Sequence, residues 1–175
     1  MHSYIISGGP GAGKTTLLQA LHQQGYATSE EVSRQLIIQE ASRGSNCLPW
    51  VNLSCFAHKV LCRMVQNYKH AQSSAGTTFF DRGIPDIISY LQVAGLPVDE
   101  IYEQAAQQYH YKQVVFLAPP WPEIYVNDSE RWQTFEEAEA LYKAIKATYQ
   151  SLKYTILELP KASVAERTDF VISHL

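Results

Sequence analysis

The sequence predicts an α/β protein: a five-stranded, mostly parallel sheet in a three-layer arrangement. Three observations predict it. Apolar strand-like runs alternate with amphipathic helical segments along the chain. A glycine-rich loop joins the first strand-like run to the first helical segment. The third run ends in an acid, Asp81, at the edge where open parallel sheets bind their ligands.

The elements follow in order. Tyr4 to Ser7 is the first strand. Lys14 to about His22 is the first helix, with Gly25 as its stop signal. A short second strand is expected around Tyr26 to Thr28, a third over Thr77 to Phe80, a fourth over Val114 to Leu117 and a fifth over Tyr154 to Leu159. Pro119-Pro120 and Pro160 terminate the last two. Leu53, Phe56, Ala57, Val60, Leu61 and Met64 recur at spacings of three and four, so one helical face packs inward. Pro85 and Pro97 sit where the first turns of two further helices are expected, because a first turn tolerates a missing N–H. Thr134 with Glu137, and Ser163 with Glu166, form capping boxes that start the last two helices.

Length and composition bound the function. A chain of 175 residues suits one domain, residues 1–175, and can bury roughly 70% of its unfolded surface. Lys and Arg total 14 against 17 for Asp and Glu, which argues against a broad basic surface for nucleic acid and leaves room for a local cationic pocket. No apolar run approaches the about 20 residues that span a bilayer. The residues before the glycine loop are too few for a signal peptide, so a cytoplasmic location is expected. Cys47, Cys55 and Cys62 are odd in number and contain no C-x-x-C pair, which indicates neither a disulfide scaffold nor a redox motif.

Gly8-Gly9-Pro10-Gly11-Ala12-Gly13-Lys14-Thr15 fits G-x-x-x-x-G-K-[ST] at every fixed position, between a strand and a helix as that motif requires. Glycines let the backbone turn tightly and aim N–H groups at phosphate oxygens. The helix N-terminus adds partial positive charge. Gly9, Pro10, Gly11, Ala12, Gly13, Lys14, Thr15 and Thr16 are therefore the candidate nucleotide-binding residues. Lys14 supplies a cation for the β- and γ-phosphates, and the Thr15 hydroxyl a ligand for Mg²⁺. Asp81 is placed to hold the same Mg²⁺, directly or through water; its alternative role is to cap the following turn. Mg²⁺ with ATP is the expected cofactor pair.

The loop continued through Thr16-Leu17-Leu18, together with Glu30-Glu31-Val32-Ser33-Arg34 and Phe79-Phe80-Asp81-Arg82-Gly83-Ile84-Pro85-Asp86, resembles the small AAA-type ATPase domain family, P-loop NTPases related to the kinase portion of NadR. The resemblance continues through Ala118-Pro119-Pro120-Trp121, Ile124-Tyr125-Val126-Asn127-Asp128, Glu130-Arg131 and Thr134-Phe135-Glu136-Glu137-Ala138, and covers essentially the whole chain. It implies a nucleoside/nucleotide-kinase-like topology with a helical lid region at about residues 119–136. A hexameric motor is not implied. The chain is too short for a large ATPase core plus its helical lid domain, and Asp81 is followed by Arg82 where a motor carries a second acid.

The resemblance also frames the acceptor side. Arg82 directly follows the metal acid and either touches the transferred phosphoryl group or pairs with an acid such as Asp86. Arg131 lies in the lid region, where it either closes over the phosphates or is a solvated loop charge. In similar deoxynucleoside kinases a carboxylate at the position of Glu31 takes the proton of the acceptor hydroxyl. Alternatively, Thr28-Ser29-Glu30-Glu31 is a capping box and Glu31 reaches back to a backbone N–H. Arg34, one turn on, binds an anionic acceptor group or pairs with Glu30 or Glu31.

Cys55, His58 and Cys62 share a helical stripe, but Cys55 and Cys62 are about 10 Å apart along it. Ligands of one zinc ion sit about 2.0–2.3 Å from the metal, so this stripe is not read as a metal site. Tyr68, Tyr90, Tyr125 and Trp121 are candidates to line an acceptor pocket. Three functional readings remain. The first is a kinase-like phosphotransferase acting from ATP on an unknown small-molecule acceptor. The second is a nucleotide-dependent switch using ATP or GTP, and the third an ATPase acting on a protein partner. No N-K-x-D guanine-reading signature is present, which favours ATP.

Overall fold

A computed structural model describes residues 2–73, 75–125 and 134–175. Among them are five strands: β1 His2–Gly8, β2 Ala27–Ser29, β3 Thr77–Asp81, β4 Val114–Ala118 and β5 Thr155–Glu158. Every pairing is parallel, and the order across the sheet is β2-β3-β1-β4-β5. The helices are α1 Lys14–Gln23, α2 Val32–Ser42, α3 Leu53–Gln72, α4 Ile84–Val93, α5 Glu100–Gln108, α6 Phe135–Ser151 and α7 Val164–Ile172. No described helix is long and apolar enough to cross a membrane.

The central strand explains the layering. Tyr4-Ile5-Ile6 is an unbroken apolar run, as a strand covered on both faces requires. Ile5 stands opposite Phe80 of β3 and Val115 of β4, and these three face Leu141, Ile145 and Tyr149 of α6. Tyr4 and Ile6 point the other way, into a core with Phe79, Phe116, Leu17 of α1 and Val171 of α7. A third apolar cluster lies among α2, α3, α4 and α5. This helical layer walls the site at one end of the sheet.

Local signals place several helix starts. Thr134 accepts from the Glu137 amide at 3.2 Å while the Glu137 carboxylate accepts from the Thr134 amide at 2.6 Å. Ser163 and Glu166 do the same for α7. Each such cap contributes about 1 kcal/mol. Pro85 falls in the first turn of α4, as expected. Pro97 does not start a helix. Asp99 is the N-cap of α5, so Pro97 belongs to the extended approach before it.

Two further expectations are corrected. Cys47 and Cys55 form a disulfide, with Cα atoms 5.4 Å apart. The odd cysteine count leaves Cys62 as the free, exposed thiol. The bridge forms because the segment between α2 and α3 folds back over the first turn of α3, a proximity that cysteine spacing alone does not report. The Thr28-to-Glu31 capping box is also absent. Thr28 and Ser29 are spent in β2, and Glu31 is itself the N-cap of α2, making no side-chain cap bond.

Candidate active site

β1 delivers the glycine loop to the carboxyl edge of the sheet. Gly8 has φ 138°, and a Cβ there would lie 2.4 Å from the Ala118 carbonyl oxygen on β4. Only glycine lets the loop leave β1 this close to its neighbour. At Gly11, φ 74°, a Cβ would lie 2.6 Å from the Tyr125 ring, so Tyr125 packs directly on the loop. Gly13 is the N-cap of α1 and offers no side-chain acceptor to the first amides of the helix. Those amides and the α1 dipole are thus available to an anion.

Lys14 is buried at the foot of the loop. Its ammonium donates to the Gly9 carbonyl at 2.9 Å and the Gly8 carbonyl at 3.4 Å. Burial, with the neighbouring Arg82 charge, brings its pKa down to about 8, while Asp81, Glu31 and Asp86 pull in the opposite direction. Thr15 and Thr16 are exposed at the start of α1 and face the same cleft.

Asp81 ends β3 and is buried. Its Oδ1 has no hydrogen-bond partner among the described residues. Burial pushes its carboxyl pKa up to about 6, against the pull of Lys14. A buried, unpartnered carboxylate oxygen calls for a cation or a donor. Among the described residues, no three His, Cys, Asp or Glu side chains cluster to hold a metal by themselves. One carboxylate plus a threonine hydroxyl suits Mg²⁺, which keeps waters and takes its other ligands from phosphates.

Arg82 has φ 71°, a left-handed conformation that costs a non-glycine residue of order 1 kcal/mol. The turn is pinned by its own amide, which donates to Ile6 at 3.0 Å. It aims the guanidinium across the end of β1. There Nη1 donates to the Gly8 carbonyl at 2.8 Å and to Asp86 at 3.4 Å, and Nε donates to Glu31 at 3.1 Å. The Tyr90 ring lies 5.4 Å from the guanidinium carbon. Arg82 therefore does pair with Asp86, and it also reaches Glu31 and the loop.

Glu31 points away from its own helix end, toward Arg82. Its side chain remains 26% exposed. Burial works to raise its pKa, but the Arg82 and Lys14 charges and the Arg82 hydrogen bond outweigh that and hold it below the usual range. Arg34 lies exposed in the first turn of α2, lines the cleft and adds to the same effect. Arg131 lies outside the described residues, as do residues 126–133 of the expected lid region.

Two further residues support this arrangement. Asp86, on α4, accepts from the Ser7 hydroxyl, the Tyr149 hydroxyl, the Gly83 amide and Arg82. Arg167, on α7, donates to the Ala12 carbonyl at 3.1 Å from behind the loop. The i,i+4 spacing from Arg82 signals Asp86 as an Arg82 partner. Nothing in the sequence near Arg167 points to residues 154 and 155 positions away.

The glycine loop, Lys14, Thr15, Thr16, Glu31, Arg34, Arg82 and Asp86 line one cleft of about 660 Å³, while Asp81 and Arg167 are buried behind its wall. A protein-family model described as an AAA domain (AAA_28) matches residues 3–167. The chain belongs to this AAA domain family. Among curated proteins, none matches the sequence. Solved structures similar to this AAA domain include a deoxyadenosine kinase from M. mycoides with bound dATP, at 16% identity and TM-score 0.72, covering 99% of this chain and 98% of that one. A NadR protein in complex with NR has 18% identity and TM-score 0.72, over 98% of this chain and 50% of that one. A thymidylate kinase from Ehrlichia chaffeensis has 14% identity and TM-score 0.65, over 99% of both chains. The AAA domain thus has the P-loop NTPase fold of nucleoside and nucleotide kinases.

Proposed function

We propose that this AAA domain is a phosphotransferase that moves the γ-phosphoryl group of ATP to a hydroxyl of a small acceptor. The observation that supports it most is the shape of the cleft. One cavity runs from the glycine loop past the Glu31–Arg82 pair into a second chamber walled by α2, α3 and α4. A nucleotide switch or a simple ATPase has no need of that second chamber.

The backbone N–H groups of Gly9 and of Gly11 to Thr16, with the Lys14 ammonium, hold the triphosphate. Thr15 and Asp81 are the residues to hold Mg²⁺, which neutralises charge on the phosphate oxygens when bound. The acceptor oxygen attacks the γ-phosphorus. A new O–P bond forms, the bond to the bridging oxygen breaks, and ADP leaves. The acceptor proton goes to the Glu31 carboxylate. A depressed pKa makes Glu31 a weak base, but loose phosphoryl transfer needs positioning more than deep deprotonation. Arg82 fixes that carboxylate and places positive charge beside the reacting group. Arg34 stands at the entrance to the acceptor side.

The test is acceptor-dependent ADP release with Mg·ATP over a panel of small alcohols, nucleosides among them. Glu31→Gln is expected to lower acceptor-dependent turnover by about 10²-fold or more while leaving nucleotide binding intact. ADP release that no acceptor raises above background overturns the reading.

A further inference from the structure

The two ends of the cleft differ in what they can recognise. Its polar side chains beyond the loop are Glu31, Ser33, Arg34, Arg82, Asp86 and Tyr90, with the Trp50 indole N–H a donor at the mouth. Four of them gather at the phosphate end, where Arg82 ties Glu31 to Asp86 and Tyr90 lies over Arg82, and Ser33 and Arg34 sit in the first turn of α2. The far wall carries Ile37, Leu53, Phe56, Val60, Met64 and Ile87. Its side chains present only carbon and one sulfur, and their backbone groups belong to α2, α3 and α4, with the Leu53 amide at the start of α3 outside the intrahelical ladder. A nucleobase edge pressed on that wall meets no side-chain donor or acceptor, and a site that selects by hydrogen bonding must supply one.

The mouth repeats the pattern. Ile38 and Trp50 line it and are 62% and 55% exposed. Val51, next to Trp50, is 56% exposed. These three are half of the large hydrophobics exposed among the described residues. An apolar rim on an apolar chamber suits a hydrocarbon body entering from solvent.

Granting the phosphotransferase reading, we propose that the acceptor is an amphipathic alcohol, with one hydroxyl directed at Glu31 and a hydrocarbon body seated among α2, α3 and α4. Binding is set by buried apolar area, and orientation by the single polar end.

The experiment uses the full chain. Calorimetry with a non-hydrolysable ATP analogue and Mg²⁺ measures binding of geraniol, farnesol, adenosine and deoxycytidine, and ADP release is followed with each compound and Mg·ATP. The expected result is that at least one prenyl alcohol binds about tenfold or more tightly than either nucleoside and raises ADP release. Met64→Gln, which puts an amide on the far wall, is expected to weaken alcohol binding about tenfold with nucleotide binding unchanged. Trp50→Ala, at the exposed rim, gives the same direction of change where Met64→Gln fails to fold. Nucleosides that bind and turn over while the alcohols do neither overturn this inference and leave the phosphotransferase reading standing. Alcohols that bind while no compound raises ADP release overturn the phosphotransferase reading and keep the apolar ligand. Failure of both alcohols to bind overturns the inference.

Discussion

At the phosphate end of the cleft, position is set by backbone and by charges that hold one another. Gly8 and Gly11 adopt conformations that bring the loop against Ala118 and Tyr125. Lys14, Arg82 and Asp86 are buried in mutual contact or in contact with loop carbonyls. At the other end, position is set by helix packing: apolar side chains of α2, α3 and α4 line the cleft, and the polar link between α2 and α3, the Glu40–Lys59 ion pair at 2.5 Å, lies outside that lining. The first construction holds a charged group in one geometry at high cost to any change. The second tolerates changes of size and shape, and is the part of the fold where related proteins can differ in what they accept.

The sharpest test of the contrast lies in the two carboxylates that flank Arg82. Asp86 is buried and accepts four hydrogen bonds, so Asp86→Ala is expected to cost about 3–5 kcal/mol in urea unfolding, because it strands Arg82 and the Tyr149 hydroxyl. Glu31 is partly exposed, and Glu31→Ala is expected to cost no more than about 1 kcal/mol while abolishing acceptor-dependent turnover. Equal costs would erase the distinction between a structural hub and a site residue.

Next in size is Lys14→Ala. At nucleotide concentrations about a hundredfold above Kd, the bound nucleotide stabilises the wild-type chain by about 2.7 kcal/mol, and the variant is expected to lose that thermal shift. An unchanged shift would refute the loop assignment. Reduction of the Cys47–Cys55 bridge acts on the other end. Closing a loop of this length contributes about 2–3 kcal/mol, and its reduction is expected to raise acceptor KM with nucleotide affinity unchanged, since Pro49 and Trp50 of the cleft wall lie inside the bridged segment. A change confined to nucleotide affinity would place the bridge in the wrong half.

The smallest effect is a pH profile. Free Lys14 loses its proton above about pH 8. Bound phosphates hold that proton on, so the complex carries more protons than the free protein there, and affinity falls as pH rises through about 8, by at most about tenfold per unit. Asp81 in the free protein is protonated below about pH 6, and Mg²⁺ needs the carboxylate, so Mg·nucleotide affinity also falls below that point. Calorimetry across pH 5 to 9 is expected to show a plateau between these limits. A monotonic profile would contradict one of the two assignments.

The glycine loop, the acid at the end of β3 and the two capping boxes were legible because each is a relation among neighbours. Gly8 to Thr15 are contiguous, and Thr134 meets Glu137 and Ser163 meets Glu166 within one helical turn. Composition in an unbroken apolar run sufficed to bury β1. The missed features span the chain or depend on a particular turn. Ser7 and Tyr149 meet on Asp86 across separations of 79 and 63 residues. Arg167 supports the loop from 155 residues away. Cys47 reaches Cys55 because the approach to α3 doubles back, and Glu31 turns from its own helix end to Arg82.

The sequence by itself determined that a strand, a phosphate-cradling turn and a helix follow one another, because backbone freedom and periodic burial act over a few residues. Which charges neutralise one another, and that the second chamber is lined with hydrocarbon, was decided only when the sheet order and the packing of α2, α3 and α4 brought remote side chains within hydrogen-bonding or van der Waals reach.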